Sequence, residues 1–493
     1  MLLLKKKKNF LLKFLFIIFY LVSVPTFANE NNISIQSSEL WVDLTHPKIL
    51  YAKKDQLRLI PASVTKLFIA ASALTHWGAR HTFLTQVYTR GNIKAGVLNG
   101  DLVFYGLGDP ELTNEKVWSL INNLQQLGLK KINGNLVVNT SYFGKIILDA
   151  PDRIQAKLHS KVAYDGLPSS TGTNFGNISV FIAPGRKAGD PAIIAISPYR
   201  LDNILLKGAV QTISGKNNTI QISRVTHNEQ EILTVSGKLG VESKPLTIYR
   251  SVGDSNLTTA NLLSAFLQEA SIRVNGKIQL ESTPLLQTDK LLTQLESDPL
   301  IHSLQDMLFY SNNYIADVLM LDLWRDSQRT LASTALNLSD ATQLLFNNYK
   351  LMLANTHFSI KNTDGSPTFK NASGLSPLNR VSARDLIILL DGMYKNKRDF
   401  PIYYGSLLMP GQQKIWRGMI TAQHPWMAYS SFKTGHISVP KSVYTMAGYF
   451  SMQNGDIGAF AVLFNAPPAV DKNGSLFKKL IQHLDHVFQT LRT

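Results

Sequence analysis

The sequence predicts an α/β (α+β) protein in which an antiparallel sheet lies between helices and a large β-rich domain is inserted. Three observations predict this class: strand-like segments occur near both chain ends, helical periodicity adjoins them, and short strand-like runs fill the middle. With 493 residues and 44% hydrophobic content, the chain can bury more than one core. We therefore predict a signal peptide at 1–28, a main domain at 29–85 and 288–493, and an inserted domain at 86–287.

The first residues have the order of a secretory signal peptide. The basic run Lys5–Lys8 precedes the apolar run Phe10–Val24, and small residues lead to Ala28, after which we expect cleavage. An uncleaved membrane anchor is the alternative, but the apolar run is shorter than the ~20 residues that a membrane span requires. The sequence therefore predicts export to the periplasm and no stable membrane span in the mature protein.

Charge and cysteine content limit the function classes. The formal charge is +16, and loss of five lysines with the signal peptide leaves +11, which favours contact with an acidic polymer or an anionic membrane surface. Export argues against nucleic acid as a partner. Because the chain has no cysteine, disulfides, thiol nucleophiles and a lipidated cysteine are all excluded.

Strand and helix patterns near the N-terminus begin the main domain. Two apolar runs between Leu40 and Ala52, separated by a polar break, predict a two-stranded hairpin. Pro61 opens the next segment, which has the apolar spacing of a helix with one buried face. The apolar positions are Val64, Leu67, Phe68, Ala71 and Leu74.

The middle of the chain, from about 86 to 287, consists of short strand-like runs. Asn-Gly pairs that begin at Asn99, Asn133 and Asn275 predict turns between these runs. Helical periodicity returns at 299–349, with an interruption near 336–340, and resumes at 382–393. The sequence therefore predicts a β-rich insertion between helical segments.

The C-terminal segment predicts two strands and a helix. Apolar and aromatic runs at 443–451 and 458–464 are joined across Asn454-Gly455, a strong hairpin signal. We expect the last helix to pack on the sheet, although Lys478 and Lys479 beside its apolar stripe leave a membrane-surface position as the alternative. The stripe consists of Leu476, Leu480, Leu484, Val487 and Leu491.

The pair Ser63 and Lys66 is the first candidate for chemistry. Three-residue spacing on a helix places a hydroxyl and an amine on one face, where they can touch. Serine needs a proton acceptor to become a nucleophile, and a lysine can serve only if burial lowers its pKa far below ~10.4. We therefore predict that Lys66 is buried.

The same Ser-x-x-Lys pattern also occurs at Ser430, Ser438 and Ser475. The first two fall in strand or loop sequence, and Ser475 lies too near the C-terminus to have partners after it. Ser63 lies at the start of a clear amphipathic helix after Pro61-Ala62, so we select it as the candidate nucleophile.

The second candidate is Ser311-Asn312-Asn313, which follows an apolar helical run. The first and third side chains can face one cleft, where a hydroxyl can relay a proton and an amide can hold both Lys66 and a substrate carbonyl. An ordinary helix end or turn is the alternative interpretation.

The third candidate is Lys433-Thr434-Gly435, immediately before the two C-terminal strands. The ammonium and hydroxyl groups can bind a terminal carboxylate, and glycine allows another backbone to approach closely. An exposed lysine in a turn is the alternative.

These three motifs, in this order, resemble those of serine penicillin-binding proteins and β-lactamases. The arrangement resembles the low-molecular-mass (class C) D-alanyl-D-alanine carboxypeptidase/endopeptidase family, peptidase family S13, in which extra domains are inserted after the Ser-x-x-Lys motif. The resemblance implies a β-lactamase/transpeptidase-like catalytic domain and covers nearly the whole mature chain. Further matching segments are Pro61-Ala62-Ser63, Gly106–Pro110, Ser373–Ser376 and Ala447–Tyr449.

The resemblance implies a role for each motif residue. Ser63 would be the acylated nucleophile and Lys66 the general base, with Ser311 and Asn313 as proton relay and positioning group.

Lys433 and Thr434 would bind the substrate carboxylate, and Gly435 would let the substrate approach. The backbone amides of Ser63 and His436 would form the oxyanion hole.

Three positions depart from the family pattern. Asn312 stands where aspartate is usual, Asn371-Ala372 replaces Asp-Gly before Ser373, and His436 follows the glycine in place of a small residue. None of these removes a catalytic side chain. We expect the His436 imidazole to narrow the cleft or add a titrating group, and so to alter specificity or β-lactam affinity.

Two further patterns contain residue types that can bind a substrate or a metal ion. Asp165 resembles an acidic residue of the family that binds the amine of a diaminopimelate side chain. The alternative is that Asp165-Gly166 only forms a turn. His483 and His486 lie three apart on the last helix, but no third metal ligand is evident, so we expect a surface role and no metal.

The expected function is a serine D-alanyl-D-alanine carboxypeptidase and D,D-endopeptidase. It would act on peptidoglycan stem peptides and crosslinks without cofactor, and β-lactams would inhibit it covalently. A β-lactamase or serine esterase, or a non-catalytic peptidoglycan-binding protein, are the alternatives. The sequence is compatible with either a monomer or a homo-oligomer.

Overall fold

A computed structural model describes residues 35–328, 336–359, 366–408 and 424–491. The predicted signal peptide lies outside these residues. Among the helices in these ranges, none has the length and hydropathy needed to cross a membrane.

The strands, numbered in chain order, are β1 Gln36–Asp43, β2 Lys48–Lys53, β3 Leu84–Lys94, β4 Val97–Gly106, β5 Lys131–Ile132, β6 Leu136–Asn139, β7 Ile146–Ile147, β8 His159–Ser160, β9 Asn177–Ala183, β10 Ile193–Ser197, β11 Ile204–Gly208, β12 Gln211–Ile213, β13 Gln221–His227, β14 Gln230–Ser236, β15 Lys238–Gly240, β16 Leu246–Ser251, β17 Arg273–Val274, β18 Ile278–Glu281, β19 Lys290–Glu296, β20 Leu336–Asn337, β21 Ser430–Ile437, β22 Ser442–Ser451 and β23 Ile457–Ala466.

The helices are α1 Lys66–Trp77, α2 Asn114–Gln126, α3 Pro151–Leu158, α4 Ser255–Glu269, α5 Leu300–Phe309, α6 Asn313–Ser327, α7 Leu338–Ala341, α8 Gln343–Ala354, α9 Ala383–Lys395, α10 Phe400–Gly405 and α11 Ser475–Thr490. A 3₁₀ turn, Ala62–Thr65, leads directly into α1.

Both chain ends form one antiparallel sheet, as predicted. The strand order is β2-β1-β23-β22-β21, so the N-terminal hairpin pairs directly with the C-terminal one. The turn between β22 and β23 contains Asn454-Gly455, as the sequence indicated. This pairing places β21, with the Lys-Thr-Gly motif, at one edge of the sheet.

Helices cover both faces of this sheet. Because neighbouring strand residues point to opposite faces, Trp41 packs with α11 on one side and Leu40 packs with α1, α6 and α9 on the other. The apolar stripe of α11 is buried at Leu476, Leu480, Leu484 and Val487. The expected packing of this helix on the sheet is therefore confirmed.

The two histidines of α11 have different surroundings. His483 hydrogen-bonds through Nε2 to the buried carboxylate of Glu39, whereas His486 is exposed. Their contacts therefore give no support to a shared metal ion.

The middle of the chain is rich in strands, as predicted. Its largest sheet contains β3, β4, β5, β6, β17, β18 and β19, and helices α2 and α4 pack in the same core. Strand β19 pairs with β3 although it lies beyond the predicted limit at 287, and β3 itself begins at Leu84, before 86. The division of the chain into domains stays a prediction.

The turn predicted at Asn99-Gly100 is wrong. These residues lie inside β4, and the turn between β3 and β4 is Ala95-Gly96, where both residues have positive φ angles of 52° and 82°. Gly100 is required by a close approach of strands, since a Cβ there would lie 1.6 Å from the Arg90 carbonyl oxygen.

Candidate active site

The nucleophile candidate Ser63 lies in the strained 3₁₀ turn before α1. Ala62 has a φ of +49°, which an L-residue adopts at a cost, and Thr65 Oγ1 donates a hydrogen bond to Ala62 O at 2.8 Å. Thr445 Oγ1 on β22 donates to Pro61 O at 2.7 Å. The turn that carries Ser63 is thus tied to the sheet.

Lys66 is fully buried, as its predicted role requires. Its Nζ lies 3.1 Å from Ser63 Oγ, 2.6 Å from Asn313 Oδ1 and 2.5 Å from the Ser373 carbonyl oxygen. Three oxygen atoms therefore fix the amine beside the serine hydroxyl.

The surroundings of Lys66 favour its neutral form. Burial lowers the pKa of Lys66 well below its usual value, the nearby cations Lys433 and Arg153 lower it further, and Asp317 acts in the opposite direction. A neutral amine has a lone pair that can accept the Ser63 proton. The arrangement can therefore act as a nucleophile and base.

Ser311 and Asn313 approach this pair from the start of α6. Asn312 caps the helix, because its Oδ1 accepts a hydrogen bond from Ile315 N at 3.2 Å. This explains how asparagine serves locally where aspartate is usual. Asn313 contacts Lys66 through Oδ1 and donates from Nδ2 to the Tyr164 carbonyl oxygen at 3.0 Å.

Lys433 joins Ser311 to the sheet edge. Its Nζ donates to Ser311 Oγ at 3.0 Å and to Thr434 O at 2.7 Å. Ser311 itself has a strained φ of +57°. Burial lowers the pKa of Lys433 to about 7, so this group titrates near neutral pH.

Gly435 allows β21 to lie against the nucleophile. A Cβ at this position would lie 2.4 Å from Thr445 Oγ1 and 2.7 Å from Ser63 N. No larger residue fits there without movement of backbone. The structure therefore brings the Lys-Thr-Gly strand directly to Ser63.

His436 lies at the rim of the cleft, where its ring is held on three sides. Nδ1 is 3.0 Å from Val443 O, Nε2 is 3.2 Å from Ser438 Oγ, and the ring stacks on Tyr444 with centroids 4.3 Å apart. The carbonyl acceptor places the proton on Nδ1. The imidazole therefore forms a fixed wall rather than a mobile group.

A cleft of ≈ 840 Å³ joins the motif residues, with Ser63, Ser311, Asn313, Thr434, Gly435 and His436 in its walls. The side chains of Lys66 and Lys433 are buried, and their amines contact Ser63 and Ser311 in these walls.

Asp165 also lines this cleft, where it is already paired. It accepts a hydrogen bond from Ser160 Oγ at 2.6 Å and lies 3.4 Å from Nη2 of Arg153. Tyr164 and Asp165 also form a turn, which agrees with the alternative interpretation of the Asp-Gly pair. The contacts are compatible with both interpretations.

Sequence reasoning missed Asp317, one turn after Asn313 on α6. This fully buried carboxylate accepts hydrogen bonds from Ala372 N at 3.1 Å, Ser373 N at 2.9 Å and Ser373 Oγ at 3.0 Å. It thereby holds the segment whose carbonyl contacts Lys66. The four-residue spacing from Asn313 was the signal that could have found it.

Arg153 and Tyr164 were also missed, and both come from the middle of the chain. Arg153 is 1% exposed and lines the cleft from α3. The Tyr164 contact to Asn313 uses a backbone carbonyl, which any residue could supply. No sequence signal marks either contact.

Comparisons with known proteins agree with this architecture. A model of the D-Ala-D-Ala carboxypeptidase 3 (S13) family matches residues 26–483. The chain is 26% identical over 458 residues to D-alanyl-D-alanine carboxypeptidase DacB of Haemophilus influenzae, covering 90% of each chain. It is 27% identical over 301 residues to D-alanyl-D-alanine carboxypeptidase of Actinomadura sp. (strain R39), covering 58% of this chain and 53% of that protein.

The fold has a solved counterpart. The crystal structure of penicillin binding protein 4 (dacB) from Haemophilus influenzae superposes with a TM-score of 0.71 and 23% identity, covering 91% of this chain and 96% of that chain. The match confirms the predicted β-lactamase/transpeptidase-like fold. Since the family model spans most of the sequence, the chain belongs to the D-Ala-D-Ala carboxypeptidase 3 (S13) family of penicillin-binding serine peptidases.

Proposed function

We propose that the protein is a periplasmic serine D-alanyl-D-alanine carboxypeptidase and D,D-endopeptidase that works through an acyl-enzyme at Ser63. The contact that carries the proposal is that between Ser63 Oγ and the buried Lys66 amine, 3.1 Å apart. Peptidoglycan stem peptides and crosslinks are the substrates, and β-lactams are covalent inhibitors.

In the first step Ser63 Oγ bonds to the carbonyl carbon of the penultimate D-alanine. Its proton passes to the neutral Lys66 amine, whose position is set by Asn313 Oδ1 and Ser373 O. The carbonyl electron pair moves to oxygen, where the backbone amides of Ser63 and His436 stabilise the negative charge.

In the second step the carbonyl re-forms as the peptide C–N bond breaks, and the proton that Lys66 accepted passes through the Ser311 hydroxyl to the leaving nitrogen, which leaves Lys66 neutral again. The hydroxyl of Ser311 is suited to this relay because Lys433 Nζ donates to it at 3.0 Å. D-Alanine, or the amine of a crosslinked stem, departs. Water then attacks the ester carbonyl and Ser63 recovers its proton, without metal or cofactor.

Lys433 and Thr434 bind the terminal carboxylate of a carboxypeptidase substrate. A crosslinked stem presents a larger leaving group beyond the scissile bond, so endopeptidase action needs the open cleft rim near His436. Asp165 is proposed to contact the side-chain amine of the stem, in exchange for part of its pairing with Arg153.

Mass spectrometry of products tests the proposal. Purified protein is incubated with a D-alanyl-D-alanine pentapeptide and with crosslinked muropeptides, and penicillin-treated protein is digested to locate the adduct. We expect loss of one D-alanine, cleavage of crosslinks and a stable adduct on Ser63. Rapid penicillin turnover without peptide cleavage would instead indicate a β-lactamase, and neither adduct nor cleavage would indicate a non-catalytic binding protein.

A bell-shaped dependence of kcat/KM on pH is expected for D-alanine release. Activity rises as Lys66 loses its proton and becomes a base, and it falls as Lys433 loses the charge that binds carboxylate, with a pKa of about 7. In Lys433→Arg the guanidinium stays protonated, so the alkaline limb should move up by more than about one pH unit. An unchanged alkaline limb would show that Lys433 does not set it.

Asp317→Asn is expected to shift the acidic limb of penicillin acylation to lower pH. The carboxylate raises the pKa of Lys66, so its removal leaves the amine neutral at lower pH. The amide oxygen still accepts from the backbone amides of 372 and 373, which keeps the segment in place. The measurement is the acylation rate as a function of pH.

Asp322→Asn is the matched control for this shift. Asp322 is also buried on α6, but it is not among the groups that act on Lys66. Its variant should keep the acidic limb where it is. Equal shifts in both variants would mean that loss of a buried acid in α6, rather than the charge at 317, changes Lys66.

A further inference from the structure

A second cleft adjoins the catalytic one. It has a volume of ≈ 630 Å³ and is lined by the Ser-Asn-Asn motif and by residues of α2, β9, β16 and the start of α6. Tyr164, Tyr310, Ser311 and Asn313 line both clefts. A molecule that extends away from Ser63 can therefore enter the second cleft directly.

The second cleft is polar but almost uncharged. Among the described residues that line it, Glu115 is the one with a charged side chain, and amides and hydroxyls supply most of the other polar groups. Three of its tyrosines are strongly exposed: Tyr164 by 58%, Tyr249 by 54% and Tyr310 by 66%. Exposed aromatic rings beside neutral hydrogen-bonding groups suit a ligand with both apolar faces and hydroxyls.

The amide groups in the walls are held in place. Asn114 and Asn174 bond to each other, with Asn174 Nδ2 donating to Asn114 Oδ1 at 2.7 Å and Asn174 Oδ1 accepting from Asn114 N at 3.0 Å. Asn177 is 8% exposed and donates to Phe175 O at 2.8 Å, while its Oδ1 has no donor among the described residues. Because this oxygen is buried, the hydrogen-bonding groups open to a ligand are the other amides and hydroxyls in the cleft walls.

We propose that the second cleft binds sugar residues of the peptidoglycan glycan strand, an inference that rests on the proposed peptidoglycan substrate. The stem peptide is attached to the glycan, so a stem whose end lies at Ser63 leads back to a sugar nearby. Pyranose rings pack their C–H faces on the exposed tyrosines, and their hydroxyl and acetamido groups bond to the asparagines.

A second stem peptide fits the cleft less well. Stem peptides carry carboxylates, and the described lining offers Glu115 and no cation to pair with them. The catalytic cleft, by contrast, has charged side chains of both signs in its walls, Arg153 together with Asp152 and Asp165. The charge of the two clefts thus separates a peptide site from a sugar site.

Binding of neutral β-1,4-linked N-acetylglucosamine oligomers, which carry the hydroxyl and acetamido groups of the glycan strand and no carboxylate, tests the inference. Titration calorimetry is carried out on the full mature chain, on Tyr249→Ala and on Trp118→Ala. Tyr249 lies on β16 away from the catalytic cleft, and Trp118, exposed by 56%, is a matched aromatic that does not line either cleft. We expect the natural chain and Trp118→Ala to bind alike and Tyr249→Ala to bind at least about fivefold more weakly.

Penicillin acylation of the same samples separates this inference from the proposed function. Glycan binding that depends on Tyr249 supports the sugar site even if Ser63 is not acylated, and in that case the hydrolase proposal alone fails. No glycan binding by the natural chain, or equal binding by Tyr249→Ala, would overturn the sugar site. Binding of a free stem tetrapeptide that depends on Tyr249, with no glycan binding, would overturn it in favour of a peptide subsite.

Discussion

Ser63→Ala is expected to abolish both covalent labelling by fluorescent penicillin and release of D-alanine. The hydroxyl is the group that forms the acyl bond, and its nearest amine, Lys66 Nζ, cannot replace it while held by Asn313 and Ser373. Removal of one oxygen leaves these two contacts in place, so we expect a folded protein. Labelling on gels and thermal unfolding of the same sample measure the two effects.

Ser475→Ala is the matched control for this loss. Ser475 begins the same Ser-x-x-Lys pattern at the start of a helix, but its hydroxyl donates to Val470 O at 2.8 Å and lies outside the catalytic cleft. This variant should label like the natural chain. If labelling survives in Ser63→Ala and disappears in Ser475→Ala, Ser475 is the nucleophile and the proposed mechanism is refuted.

The sheet could be predicted because its signals are local. Alternating apolar residues and the Asn454-Gly455 turn define β22 and β23, and the same alternation defines β1 and β2. Pairing of the two ends follows because each hairpin has an apolar surface to bury. The prediction of a turn at Asn99-Gly100 was wrong because glycine occurs both in turns and where strands approach closely. The sequence alone does not distinguish these two roles of glycine.

The motif residues of the site could be predicted from the sequence, but the residues that surround and position them could not. Ser63, Ser311 and Lys433 stand in recognisable patterns, and the structure brings them to one cleft. Arg153 and the Tyr164 carbonyl reach the same place from the middle of the chain. Their position depends on how the insertion packs on α6, which no local pattern encodes.

The residues around Lys66 also determine whether it can act as a base. Lys66 lies among the charges of Lys433, Arg153 and Asp317, and burial sets the direction of its pKa. The positive charges of Lys433 and Arg153 favour the neutral form of Lys66, while the negative charge of Asp317 opposes this effect. The base is therefore a property of the assembled site rather than of the Ser-x-x-Lys motif. The lysine of the Ser475 copy, Lys478, is exposed instead.

Lys66→Met is expected to lower the rate of penicillin acylation by about 10³-fold, the middle of the range for loss of a general base. Methionine has a similar length and no charge, so it fits a fully buried position, although Asn313 Oδ1 and Ser373 O lose their donor. The measurement is the second-order rate of acylation, with thermal unfolding as the test of fold.

Two further variants distinguish a base from a structural cation. Lys66→Arg keeps a positive charge but cannot give up its proton, so it should not restore acylation if Lys66 acts as the base. Lys478→Met removes the exposed lysine of the Ser475 pattern and should leave the rate unchanged. Substantial acylation by Lys66→Arg, or a folded Lys66→Met within about tenfold of the natural rate, would show that Ser63 gives its proton to another group.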